Sequence, residues 1–318
     1  MEKVQREDIQ IISKYCNLTE KGVDKVLKDN VYNGKEEWQK FLRLLFLTLG
    51  VGFMVAGIVF FFAYNWADLH KFAKMGLAEG LLIATMSLVL FSKMNTNIRN
   101  IILIGASVLV GVLFAVYGQI YQTGANAYDF FLGWTIFITL WTIVSNSAPL
   151  WLIYIGLINT TFILYSQQVA NDWSGIYIFT LLFIINTVML VAATMLSQRK
   201  KMANWFLNTV ALACVTYATI GIILGIFEGS SGNYTAFFVL ILITSLLFAA
   251  GIWYGLKTKS GFYLSVIPFS ITIIISAWLI EIGGGMMMYL FVSLFIVAAV
   301  TLIIKKIIHF QKKWKNEK

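Results

Sequence analysis

Ten stretches of this chain are apolar over about the length a helix needs to cross a lipid bilayer, and this repetition limits the fold more than any other feature. The hydrocarbon layer is about 30 Å thick, so a helix rising about 1.5 Å per residue needs roughly 20 mostly apolar residues to span it. The runs cover residues 43–64, 75–92, 100–120, 130–146, 149–166, 175–196, 203–227, 234–255, 262–281 and 286–305. The narrowest gap is Ser145-Asn146-Ser147-Ala148-Pro149 between the fourth and fifth runs. A proline just past a break suits the start of a new helix. The chain is 59% hydrophobic and 12% charged, with a mean hydropathy of +0.80. A soluble domain holds about 45–50% apolar and about 25% charged residues, and surface-to-volume scaling prevents one soluble core from hiding the excess. The expected fold is an all-α, polytopic bundle of about ten transmembrane spans, which excludes a water-soluble enzyme.

The cations give the bundle a direction. With the N-terminus in the cytoplasm, 22 of the 24 Lys and Arg fall in inside segments, and only Lys71 and Lys74 fall outside. Orientation follows the Lys/Arg bias of short loops, so both termini are expected in the cytoplasm and the protein in a bacterial inner membrane. The net charge of +9 is then mostly a topology signal, and no nucleic-acid partner is called for. Asp68, Glu79, Asp129, Asp172, Glu228 and Glu281 all fall at or near the outer face. Either the basic inner loops leave acids nowhere else to go, or the acids form an outer vestibule that attracts cations or cationic head groups.

Three regions follow from the pattern. Residues 1–42 are charged and lack the apolar stretch of a signal peptide. They are expected to form short helices: one over about Glu7–Tyr15 with Ile9, Ile11 and Ile12, and one after the N-cap Thr19 with Val23, Val26 and Leu27. A break at Asn30 and Asn33-Gly34 precedes a helix that runs from Lys35 into the first span, carrying Trp38 at the inner boundary. This region could dock a cytoplasmic protein; the lipid bilayer is the other expected partner. Residues 43–305 form the membrane domain and 306–318 a basic tail.

Few residues could carry chemistry. Cys16 and Cys214, with two histidines, give no support for a disulfide framework or a metal site, and no cofactor motif occurs. The first outer loop gathers Asn65, Trp66, Asp68 and His70. It reads either as a capped loop with an interfacial tryptophan, or as an outer site in which an Asp–His pair relays protons. Apart from Glu281 at the last position of the ninth run, Glu79 is the only acid inside an expected span, between Gly76 and Gly80, a spacing that lets another helix approach closely. It faces a partner or a watery cavity, or else snorkels outward or pairs with Lys74 or His70. Gln119 and Gln122, three apart on one helical face, flank Tyr121, with Asn126, Asp129 and Trp134 beyond. These groups serve either helix association or a polar pocket near the outer leaflet. Trp134 and Trp141, seven apart, are expected to pack.

Asn159, Asn186 and Asn208 lie deep in spans five to seven and are expected to join helices. The pairs Gly221/Gly225 and Gly251/Gly255 suggest close packing, and Met286–Met288 suggest core or interface. Glycosylation sequons occur at Asn17, Asn159 and Asn233, of which only Asn233 could face outward.

The run Gly57 to Trp66, then Gly118-Gln119-Ile120-Tyr121-Gln122, Trp134, Leu150-Trp151 and Asn159, resembles the bacterial membrane-protein family catalogued as domain of unknown function 2157. The likeness covers roughly residues 10–165. The resemblance implies a polytopic inner-membrane protein and carries over no catalytic residue; Asn65, Trp66, Gln119, Tyr121, Gln122 and Trp134 are the positions that fit its pattern.

Three functions compete. A non-catalytic membrane component (scaffold, sensor or assembly partner) leads. A transporter or a small-molecule or lipid binding protein with an outer polar site is the alternative. Five spans plus five would give inverted halves, but the halves show no visible similarity and only Pro268 interrupts a span. A membrane enzyme using Asp68, His70 or Glu79 ranks last.

Overall fold

The computed structural model describes residues 6–16, 19–32, 34–122, 124–197, 202–228, 234–283 and 285–316. These residues form helices and no strand, and ten of the helices are long and apolar enough to cross a membrane. The chain divides into two compact units, Met1–Tyr121 and Gln122–Lys318. Three of the long apolar helices fall in the first unit and seven in the second.

The first unit holds α1 (Arg6–Tyr15), α2 (Glu20–Asn30), α3 (Lys35–Tyr64), α4 (Lys71–Phe91) and α5 (Thr96–Tyr121). Thr19 caps α2 as its sequence suggests, its hydroxyl accepting from the Gly22 amide at 3.4 Å. The short helices α1 and α2 pack together, with Ile9 buried and Val23, Val26 and Leu27 half-buried. Helix α5 is the centre of the unit and packs against both α3 and α4. At Gly105 a side chain would come within 2.7 Å of Val51 on α3, so glycine permits this approach.

The second unit holds α6 (Ala127–Ser145), α7 (Ala148–Gln168), α8 (Gly175–Ser197), α9 (Asn204–Glu228), α10 (Tyr234–Lys257), α11 (Gly261–Gly283) and α12 (Met286–Asn316). The narrow gap after α6 is a real break. Asn146 takes a left-handed φ of 49°, Ser147 is the next N-cap and Pro149 lies in the first turn of α7. Helix α9 is central, packing against α7, α8, α10 and α11 through Phe206, Val210, Cys214 and Ala218. Helix α12 continues through the expected tail to Asn316, because Lys305 to Lys315 favour helix and suit its C-terminal dipole.

Asn17, Asn33, Asn233 and the cations at 199–201 lie outside the described residues. Cys16 is exposed and Cys214 buried, both free. Met286 and Met287 are about nine-tenths exposed rather than core, because they open α12 before it reaches its neighbour. Met288 alone of the three packs, against Gly283.

Candidate functional site

In the first unit Asn65, Trp66 and His70 do local structural work. Asn65 is the C-cap of α3: its backbone N–H and its side-chain amide both donate to the Phe61 carbonyl, at 3.0 and 2.9 Å. His70 is the N-cap of α4, its Nδ1 accepting from the Phe72 amide at 3.4 Å. Among the described residues no bond joins His70 to exposed Asp68. Lys74 is buried, with Nζ 4.0 Å from the centre of the Trp66 ring. Trp66 itself packs on Phe62, Ala78 and Val116. The ring face thus satisfies Lys74, and no ion pair forms to Glu79 among the described residues.

Glu79 is exposed on α4. Side chains built at its neighbours Gly76 and Gly80 would meet nothing within 4 Å, so this glycine pair admits no helix of its own unit. Gln119 and Tyr121 are exposed at the end of α5, where Tyr121 stacks obliquely on Tyr117 at 4.6 Å. Helix α5 stops at Tyr121 and Gln122 has a left-handed φ of 41°. The expected shared face of Gln119 and Gln122 therefore does not form, since the helical register ends between them.

In the second unit, Asp129 completes a capping box, its Oδ2 accepting from the Asn126 amide at 3.0 Å. Trp134 packs among Phe130 and Phe131, and Trp141 against Phe137. Deeper in the unit, polar groups join helices as expected. Asn159 on α7 and Asn186 on α8 exchange reciprocal amide bonds of 3.1 and 2.7 Å, both buried. The hydroxyls of Thr219 on α9 and Ser270 on α11 meet at 2.6 Å.

A cavity of the second unit lies elsewhere, and none of the ten expected site residues lines it. It has a volume of about 960 Å³, near the top of the range for small-molecule sites, and runs between α10 and α11 with a back wall from α9. Its origin is legible in the packing. At one end Gly251 and Gly255 let α11 come close, since a side chain there would meet Ile267 at 2.6 Å and Tyr263 at 3.0 Å. The cavity opens between the two helices on the far side of Pro268, from Ile271 to Ile282 on α11 and from Tyr234 to Ile252 on α10. Pro268 cannot donate to the carbonyl four residues back, which weakens α11 where the pair parts. Phe238, Trp278 and Ile282 on the open flank are more than half exposed.

The wall is almost wholly apolar and carries one unsatisfied group. The hydroxyls of Thr135, Thr142, Thr180, Thr219 and Thr272 each donate to the carbonyl four residues back. Thr244, on the cavity wall and 3% exposed, does not; its Oγ1 is buried without a hydrogen-bond partner. An orphaned hydroxyl in apolar surroundings costs free energy, and its oxygen is sealed beneath the wall rather than open to the groove. Glu281 stands on the rim with Trp278 and Tyr234. Sequence reasoning noted Pro268 and Glu281 singly; the further signal was the Thr244-Ser245 dipeptide in an otherwise apolar span. Among the described residues no cluster of His, Cys, Asp or Glu could hold a metal.

Residues 18–151 match the model of the family described as Predicted membrane protein (DUF2157). Asn65, Trp66, Gln119 to Gln122, Trp134, Leu150 and Trp151 fall inside the match, and Asn159 falls beyond it. The chain is a membrane protein with many apolar helices, and its cavity lies outside the matched stretch. No curated protein and no solved structure matches the chain.

Proposed function

We propose that this is a non-catalytic protein of the bacterial inner membrane whose second unit binds an apolar molecule dissolved in the bilayer, admitted sideways between α10 and α11. The observation that carries this reading is the cavity of about 960 Å³, open on one flank and lined by isoleucine, phenylalanine and the unbonded Thr244. The lipid or small-molecule binding alternative is thereby favoured over a pure scaffold, and the site is moved from Asn65, Asp68, His70 and Glu79 to the α10–α11 groove. With both termini cytoplasmic, the groove would open toward the outer leaflet.

The test is a long-chain alcohol bearing a conjugated polyene, whose fluorescence rises when it is immobilised. Wild-type protein in nanodiscs of zwitterionic lipid should give a saturable rise, and Ser245→Trp, which fills the groove from its exposed side, should abolish it. Ala249→Leu, a smaller filling, should weaken it. A rise that survives both substitutions in folded protein contradicts the reading.

A second role is favoured by one observation. The α1–α2 pair buries Ile9 and displays Arg6, Lys14, Lys25 and Lys28, a form suited to docking a cytoplasmic protein. Pull-down by the full chain that is lost on Ile9→Asp would support it.

A further inference from the structure

The head group of the occupant follows from where the groove opens, and this step rests on the binding reading above. Consecutive spans joined by short connections alternate in direction. In the second unit this places Asp129, Asp172, Glu228 and Glu281 together at one end: the start of α6, the α7–α8 turn and the ends of α9 and α11. The described cations of the unit, Lys257, Lys259 and Lys305 to Lys315, lie at the opposite end. The groove reaches the acidic end, where Glu281, Trp278 and Tyr234 are among its lining residues.

The tail alone cannot confer selectivity. Lipid is as apolar as the isoleucines of the groove, so moving a chain from one to the other yields little. Discrimination must come from polar contacts, and the lining includes one acid, with Trp278 and Tyr234 among its aromatic residues, the residue types that hold ammonium groups. An anionic head would meet Glu281 and the field of three further acids.

We propose that the groove takes a long-chain cation: an alkylammonium amphiphile with its head against Glu281, Trp278 and Tyr234 and its chain running between α10 and α11 past Thr244.

The test compares three chains of equal length, hexadecylammonium, hexadecanol and hexadecyl sulfate, each with a nitroxide on the chain, added to full-length protein in nanodiscs of zwitterionic lipid. Spin resonance reads the immobilised fraction. Wild-type protein should hold the ammonium about tenfold more tightly than the alcohol, a preference of the size one ion contact confers, and the sulfate least. Glu281→Gln should bring the ammonium down to the level of the alcohol. Asp172→Asn, at the same end but off the groove wall, should lower it less, which separates a seated head from general attraction to an acidic surface. Equal binding of alcohol and ammonium by wild type, or equal losses in the two variants, overturns the cation proposal while leaving the groove in place. If none of the three chains is immobilised, both the proposal and the binding reading fall.

Discussion

Two glycine pairs of the same spacing behave differently in the two units, and the contrast separates what a sequence motif specifies from what its surroundings decide. Gly76 and Gly80 on α4 stand open, with nothing near a built side chain. Gly221 and Gly225 on α9 are filled: a side chain at Gly221 would lie 2.9 Å from Leu240, and one at Gly225 would strike the Phe237 ring. Both pairs have the spacing that permits close helix approach, yet only the second lies on a helix with neighbours on several sides. The polar residues divide in the same way. In the first unit Asn65 and His70 finish helix ends, whereas in the second Asn159 and Asn186 hold two spans together.

The largest test of this contrast is Gly225→Leu. It should destabilise the protein by about 1–3 kcal/mol through overpacking, measured by unfolding in detergent. Next comes the amide pair. Asn186→Leu should cost about 0.6–1.7 kcal/mol by leaving Asn159 without its partner, and adding Asn159→Leu to it should cost little more. A fully additive double variant would show that the two amides act separately. Thr219→Val should lose about 0.6 kcal/mol, since it breaks the contact with Ser270. The smallest effect has the opposite sign. Gly80→Ala should be neutral or stabilising by about 0.5 kcal/mol, since alanine favours helix and nothing obstructs its methyl. A loss above about 1 kcal/mol there would mean that α4 has a close partner after all.

What the sequence made legible follows from how local each signal is. Hydropathy located all ten long apolar helices, because each needs only its own stretch of apolar side chains, but it missed the run of α12 past residue 305, where the charged residues still favour helix. The Thr19 cap and the break before Pro149 were equally local. Asn159 and Asn186 were recognisable as helix glue because an amide deep in a span needs a partner, although their pairing with each other was not. The expected Gln119–Gln122 face failed because one left-handed residue ended the helix early. Around Asn65 and His70 the sequence left two readings open, because capping residues and catalytic residues share the same side chains. The groove was hidden because no single span encodes it. It lies past the point where Gly251 and Gly255 let two helices approach, a relation visible only once both helices are placed.

The most direct test of the account is photolabelling with an alkyl chain that bears a diazirine, followed by mapping of the modified residues. Labels should concentrate on 241–252 and 271–282 and should fade when unlabelled amphiphile competes for the groove. Labels spread evenly over the exposed faces of α3, α4 and α12, and indifferent to competitor, would contradict it.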